Sequence, residues 1–166
     1  MRLIPMRFLV VAPALAVLAI SSALAQAPAV HPDFTGVWVM ETAKSPGPMI
    51  PLAMTYAIEQ RGDTIRIQRD TKSKRGDFSA SLVYGTDGKP WKNSVTEGGT
   101  QVEVSSVLTW EGSTLIITST LNASGQEIHQ VEKWSLDASG KTLAADRSVE
   151  AMGQQFATKL VFTKRP

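Results

Sequence analysis

Residues 54–68 read Met54-Thr55-Tyr56-Ala57-Ile58-Glu59-Gln60-Arg61-Gly62-Asp63-Thr64-Ile65-Arg66-Ile67-Gln68. Met54, Tyr56 and Ile58 alternate with Thr55, Ala57 and Glu59, and beyond the Arg61-Gly62-Asp63 turn Ile65 and Ile67 alternate with Arg66 and Gln68. A period of two sends one set of side chains to each face of a pleated strand. The glycine between the runs supplies the positive φ that a tight hairpin requires. The segment is thus a β-hairpin, and the chain repeats it. Glycines recur at Gly62, Gly76, Gly88, Gly99, Gly112, Gly125, Gly140 and Gly153, at intervals of 11 to 15 residues and mostly beside Asp, Ser, Thr or Lys. These are turn positions. Between them the alternation continues in Phe78, Ala80, Leu82 and Tyr84, in Val102, Val104, Leu108 and Trp110, in Leu115 and Ile117, and in Phe156, Leu160 and Phe162.

Composition agrees with the period. After residue 25 the chain holds 15 Thr, 11 Val and 7 Ile, whose branched Cβ suits a sheet and disfavours a helix. No stretch carries a sustained helical stripe. The pattern predicts about ten strands, near 34–42, 53–60, 64–70, 77–84, 90–96, 101–111, 114–123, 126–136, 142–150 and 155–164. Short hairpins in succession make a meander, and a meander of this length either exposes two edges or closes on itself. The expected fold is therefore all-β, an antiparallel up-and-down barrel of eight to ten strands. A sandwich would need long crossovers, and only the Pro-rich tract 43–52 could supply one. A membrane barrel is disfavoured, because the alternation makes no regular outward apolar band and the chain does not end in an aromatic residue.

The first 25 residues stand apart. Arg2 and Arg7 precede an apolar run at 8–20, and Ala23-Leu24-Ala25 places small residues where a signal peptidase reads. The run is interrupted by Pro13 and falls short of the ~20 residues a spanning helix needs. The reading is a signal peptide over 1–25, a flexible linker over 26–33 and a barrel domain over 34–166, with a periplasmic or secreted product. Without the leader, 15 Lys and Arg balance 15 Asp and Glu, so nothing favours nucleic acid or an acidic membrane surface as partner. The chain has no Cys, so an exported form stands on its core alone.

The opening strand contains Phe34-Thr35-Gly36-Val37-Trp38, a Gly-x-Trp near the start of a meander. With the Ala43-Lys44-Ser45 tract, the Asp-Gly-Lys turn within 84–89 and the hairpin running from Trp134-Ser135-Leu136-Asp137 to Gly140-Lys141-Thr142-Leu143, it resembles the lipocalins and the wider calycin group. It is most like the small lipocalin-like secreted proteins of bacteria. The resemblance implies that Trp38 closes one barrel end beneath a basic side chain from a late strand, with Arg147 as the candidate, and that Gly36 permits a close approach. It departs from lipocalins in having no disulfide and more than eight strands.

Reactive chemistry finds little to work with. His31 lies in the linker and His129 sits mid-strand, neither with the three or four ligands that zinc needs, so no metal and no cofactor is expected. No serine occupies a nucleophile elbow. The glycines lie in hairpins, with no helix start to cradle phosphate. Glu127 and His129 share a strand face that reads as solvated. The basic segment 61–75 reads as an outer face. An enzyme is not expected.

A barrel of this size can enclose one small apolar molecule, so a non-catalytic carrier or sensor of a hydrophobic ligand is the leading function, as the resemblance implies. The alternative is an interaction or inhibitor module with a filled barrel and a protein partner. Inward residues expected to touch a ligand are Tyr56, Phe78, Leu82, Trp110, Ile117 and Trp134. Large rings decide whether room remains. Trp110, on the face of Leu108 and Val104, is expected inside; Trp134, on the face of Glu132 and Gln130, is expected partly exposed at an end.

Overall fold

The computed structural model describes residues 31–166 apart from 48–49, 75, 98–99 and 124, so the expected leader at 1–25 and most of the linker lie outside the described residues. Ten strands follow one another: β1 (Gly36–Met40), β2 (Ala53–Arg61), β3 (Thr64–Ser73), β4 (Gly76–Gly85), β5 (Pro90–Glu97), β6 (Thr100–Glu111), β7 (Thr114–Ala123), β8 (Gln126–Leu136), β9 (Thr142–Ala151) and β10 (Gln154–Lys164). All ladders are antiparallel, and the order across the sheet is β4-β3-β2-β1-β10-β9-β8-β7-β6-β5. This is the up-and-down barrel read from the alternation. The one long connection, between β1 and β2, carries among its described residues a 3-10 turn at Thr42–Lys44. The buried Ser45 pins it by donating its hydroxyl to the Glu41 carbonyl (2.8 Å) and accepting from the Val161 amide (3.0 Å).

The first strand is shorter than the alternation predicts. Around Phe34 and Thr35 side chains take over from the ladder: the Phe34 amide donates to Gln60 Oε1 (3.2 Å), and the Gln60 amide donates to Thr35 Oγ1 (3.1 Å).

Closure is almost complete. β1 pairs with β2 on one side and β10 on the other, but β4 and β5 share no backbone ladder. Across that seam the Asn93 amide imitates one. It accepts from the Val83 N–H (2.7 Å) and donates to the Val83 carbonyl (3.0 Å).

One end of the barrel is packed with rings. Trp38 and Phe34 are fully buried, and Trp38 Nε1 donates to the Phe34 carbonyl at 2.8 Å. Tyr56 stacks between Trp134 (5.1 Å) and Phe162 (4.8 Å). Trp38 thus sits where the Gly-x-Trp resemblance puts it, but its basic neighbour is a correction. Lys164, not Arg147, lies over the indole, with Nζ 5.3 Å from the ring centroid. Lys164 is the register partner of Trp38 across β1 and β10, and its aliphatic chain crosses Gly36, where a Cβ would collide with it. Gly36 also has φ +141°, which L side chains rarely adopt.

The two late tryptophans exchange roles relative to expectation. Trp134 is only 2% exposed, whereas Trp110 is half-buried. Glu132 and Gln130 do share the face of Trp134, but that face is the interior, because Glu132 is paired there. Trp110 also faces inward from β6, yet it lies one residue from the strand end. Its half-buried ring is stacked on His31 (4.1 Å, interplanar 8°) and flanked by Phe34 (6.0 Å).

Candidate ligand-binding cavity

Beyond the aromatic end, towards the β3–β4, β5–β6 and β7–β8 hairpins, lies a cavity of about 200 Å³. Inward positions of eight strands line it, because each strand contributes every second side chain to the interior. The apolar wall is made by Ile67 of β3, Phe78 and Leu82 of β4, Val95 of β5, Val104 of β6, and Ile117 and Leu121 of β7. The opposite wall is polar: Tyr56, Arg147, Glu132, Gln130 and the indole of Trp134.

Glu132 organises that wall. Its side chain is almost wholly buried, and it faces Arg147 across the β8–β9 ladder. Arg147 Nε and Nη2 both donate to Glu132 Oε1 (3.0 and 2.9 Å), and Gln130 Nε2 donates to the same oxygen at 2.6 Å. Trp134 Nε1 donates to Oε2 at 2.8 Å. Both carboxylate oxygens are therefore engaged by neighbours within the protein. Arg147 Nη2 also reaches Tyr56 OH at 3.5 Å.

Burial chiefly, and the Glu132 charge next, push the Tyr56 hydroxyl up to about 12. The same two causes raise Tyr84. Burial acts against the Arg147 cation, but the charge of Glu132 and then that of Tyr56 outweigh it, and its pKa is raised. Across the cavity, Ser106 and Ser119 form a buried hydroxyl pair at 2.8 Å, with Ser119 at the wall.

Arg69 differs from Arg147. It projects inward from β3 opposite Tyr56 in the β2–β3 register and lines the cavity, with its guanidinium carbon 5.6 Å from the centre of the Phe78 ring. Its Nε is buried without a hydrogen-bond partner, as is Thr71 Oγ1 two residues along the same strand face. Among the described residues no carboxylate pairs with Arg69.

Five of the six residues expected at a ligand, Tyr56, Phe78, Leu82, Ile117 and Trp134, line this cavity, and Trp110 does not, being stacked on His31. The reading of the sequence missed Arg69, Arg147, Glu132 and Gln130. The signal was available: Ile65, Ile67, Arg69 and Thr71 share one parity, as do Leu143, Ala145 and Arg147. Glu127 and His129 form the solvated pair anticipated, 2.9 Å apart on the outer face. Of the basic 61–75 segment read as an outer face, Arg61, Arg66, Lys72 and Lys74 do lie outside, with Arg61 paired to Glu59, but Arg69 shares the parity of Ile65 and Ile67 and turns inward, which corrects that reading. Among the described residues no three His, Asp or Glu converge to hold a metal ion.

No protein-family model and no curated protein matches the chain. Solved structures do. The zebrafish ileal bile acid-binding protein complexed with cholic acid is similar with a TM-score of 0.53 at 15% identity, covering 80% of this chain and 98% of that one. A secretory abundant heat soluble protein from Ramazzottius varieornatus is similar with a TM-score of 0.50 at 13% identity, covering 79% and 94%. Secretory abundant heat soluble protein 4 from the same organism gives 0.50 at 14% identity, covering 80% and 95%. At these identities the likeness is one of fold, and the fold is calycin-like.

Proposed function

We propose that the protein binds a small, largely apolar molecule inside its barrel, as a non-catalytic carrier or sensor, and that it acts outside the cytoplasm once residues 1–25 are removed. The observation that carries this reading is the cavity itself. The opposite end of the barrel is packed solid with rings, yet here space of about 200 Å³ is left between an apolar wall and a polar one. A pocket of mostly apolar lining with a few convergent polar groups is the usual form of a small-molecule site. The structural neighbour crystallised with cholic acid lends the reading support from the same fold. The leader-like composition of 1–25 supports export.

Native mass spectrometry of protein purified from its own host tests both parts. A polypeptide mass beginning at or near Gln26, with a small-molecule adduct released by organic solvent, is the expected result. A clean apo mass together with failure to bind any apolar dye would reject the carrier. Retention of residues 8–20 in a membrane fraction would reject export as a soluble protein.

A further inference from the structure

The cavity contains two guanidinium groups, from Arg69 and Arg147, and one carboxylate, from Glu132. An arginine stays charged at any physiological pH, so the interior carries one excess positive charge. Glu132 is committed to Arg147, and among the described residues no ion pair joins it to Arg69. Asp70, adjacent to Arg69 in the chain, points the other way and accepts from Ser79 on the outer face. The Arg69 guanidinium lies over the face of Phe78, with Tyr56 opposite it in the β2–β3 register. Arg69 as a residue is half-buried, but its Nε is shut off from solvent without a hydrogen-bond partner, and a buried donor is ordinarily satisfied.

We propose that Arg69 anchors the acidic head of the ligand, a single carboxylate, in a site sized for a medium-chain or single-ring acid. The inference rests on the reading that the barrel takes an apolar molecule, and it specifies which kind. A carboxylate matches the planar fork of a guanidinium, accepting two parallel N–H bonds from it. The apolar remainder of the ligand then lies against Leu82, Val104 and Ile117. Volume sets its length. A buried apolar space of ~150 Å³ accepts benzene, and drug-sized ligands occupy pockets of ~300 Å³ or more. At about 200 Å³ this cavity falls between them.

Isothermal titration of the full-length mature chain with octanoate, 1-octanol and palmitate at pH 7 tests the proposal. Octanoate should bind about tenfold or more tighter than octanol, since a charge-assisted pair replaces a neutral contact. Arg69→Met should reduce the octanoate-to-octanol affinity ratio to about one, with an unaltered far-UV circular dichroism spectrum showing that the variant folds. Arg69→Lys, which keeps the charge but loses the fork, should retain only part of the preference. Equal affinity for octanoate and octanol in the wild type, or a preference that survives Arg69→Met, overturns the anchor while leaving the apolar cavity intact. Tighter binding of palmitate than of octanoate overturns the size limit. Binding of none of the three overturns the carrier reading and the anchor together.

Discussion

Glu132 Oε1 and Arg147 Nη2 meet at 2.9 Å on register-paired positions of β8 and β9, inside the barrel. The pair turns the inner face of β8, which carries Gln130, Glu132 and Trp134, into a wall that a sequence pattern alone reads as solvent. It also fixes the indole of Trp134 through Glu132 Oε2. Removing either charge leaves the other buried without its partner, at a cost of about 3–5 kcal/mol. Glu132→Gln and Arg147→Met should each destabilise by that order in urea unfolding. The double variant should lose clearly less than the sum, because it strands no charge. Strict additivity would show that the two groups do not interact.

Trp134→Ala should cost about 3–5 kcal/mol, the range for deleting a buried ring, because the indole stacks on Tyr56 and is 2% exposed. Trp110→Ala should cost less than half as much, since its ring is covered mainly by His31 and flanked by Phe34. Chemical denaturation of the two variants side by side checks the order. A larger loss at Trp110 would contradict the packing described.

The chain has two tyrosines, Tyr56 and Tyr84, and both are buried with raised pKa values. A raised tyrosine pKa favours the neutral hydroxyl in the folded state, so the unfolded chain releases its protons first. Stability from this source is complete below about pH 10 and is lost as pH rises towards about 12, with a slope of up to about 1.4 kcal/mol per pH unit for each tyrosine. Absorbance near 295 nm, an ordinary marker of tyrosinate, should stay flat at pH 11 and rise only with alkaline unfolding. Tyr56→Phe should flatten the alkaline slope.

Asn93→Leu should open the β4–β5 seam, because Asn93 alone supplies paired hydrogen bonds to the Val83 backbone. The loss should be about 1–3 kcal/mol, as a backbone donor and acceptor go unsatisfied. Hydrogen exchange at the Val83 amide should accelerate sharply, while the Leu82 amide within the β3–β4 ladder should change less. Unchanged protection at Val83 would show that the seam is held by other means.

Gly36→Ala should destabilise by more than about 1 kcal/mol, since the backbone conformation is strained for any L side chain. It should also displace Lys164 from Trp38, visible as a shift in tryptophan fluorescence. Lys164→Met tests the second half alone, with an expected loss of about 0.5–1 kcal/mol or somewhat more for a cation–π contact between a half-buried lysine and a buried indole.

The strands were legible in the sequence because two local signals agree. Turn glycines mark the hairpins, and Met54, Tyr56 and Ile58 or Phe78, Ala80, Leu82 and Tyr84 mark an inner face. The apolar wall of the cavity was legible for the same reason. The polar wall was not, because period-two reasoning equates the interior with apolar residues. Glu132 and Arg147 violate that rule together, and neither alone shows that its partner waits on the adjacent strand. Arg69 was hidden differently: it lies in a run of charges, and only its parity with Ile65 and Ile67 distinguishes it from the outward Arg66. The pairing of Lys164 with Trp38 depended on register between the first and last strands, which no local signal encodes.

That last register has a topological consequence. Every ladder but one joins strands that are neighbours in the chain, and the exception, β1 with β10, spans more than 100 residues. The sheet's two free edges, β4 and β5, are meanwhile joined by a short link at 86–89. A circular permutant that fuses the end of β10 to the start of β1 and is cut within 86–89 would run in strict spatial order, β5 to β10 and then β1 to β4. Every backbone ladder would then join consecutive strands, each docking on the one just formed, and long-range closure would be left to the Asn93–Val83 seam, which carries no ladder. Such a permutant should reach the same barrel faster than the natural chain, whose meander must find its own beginning.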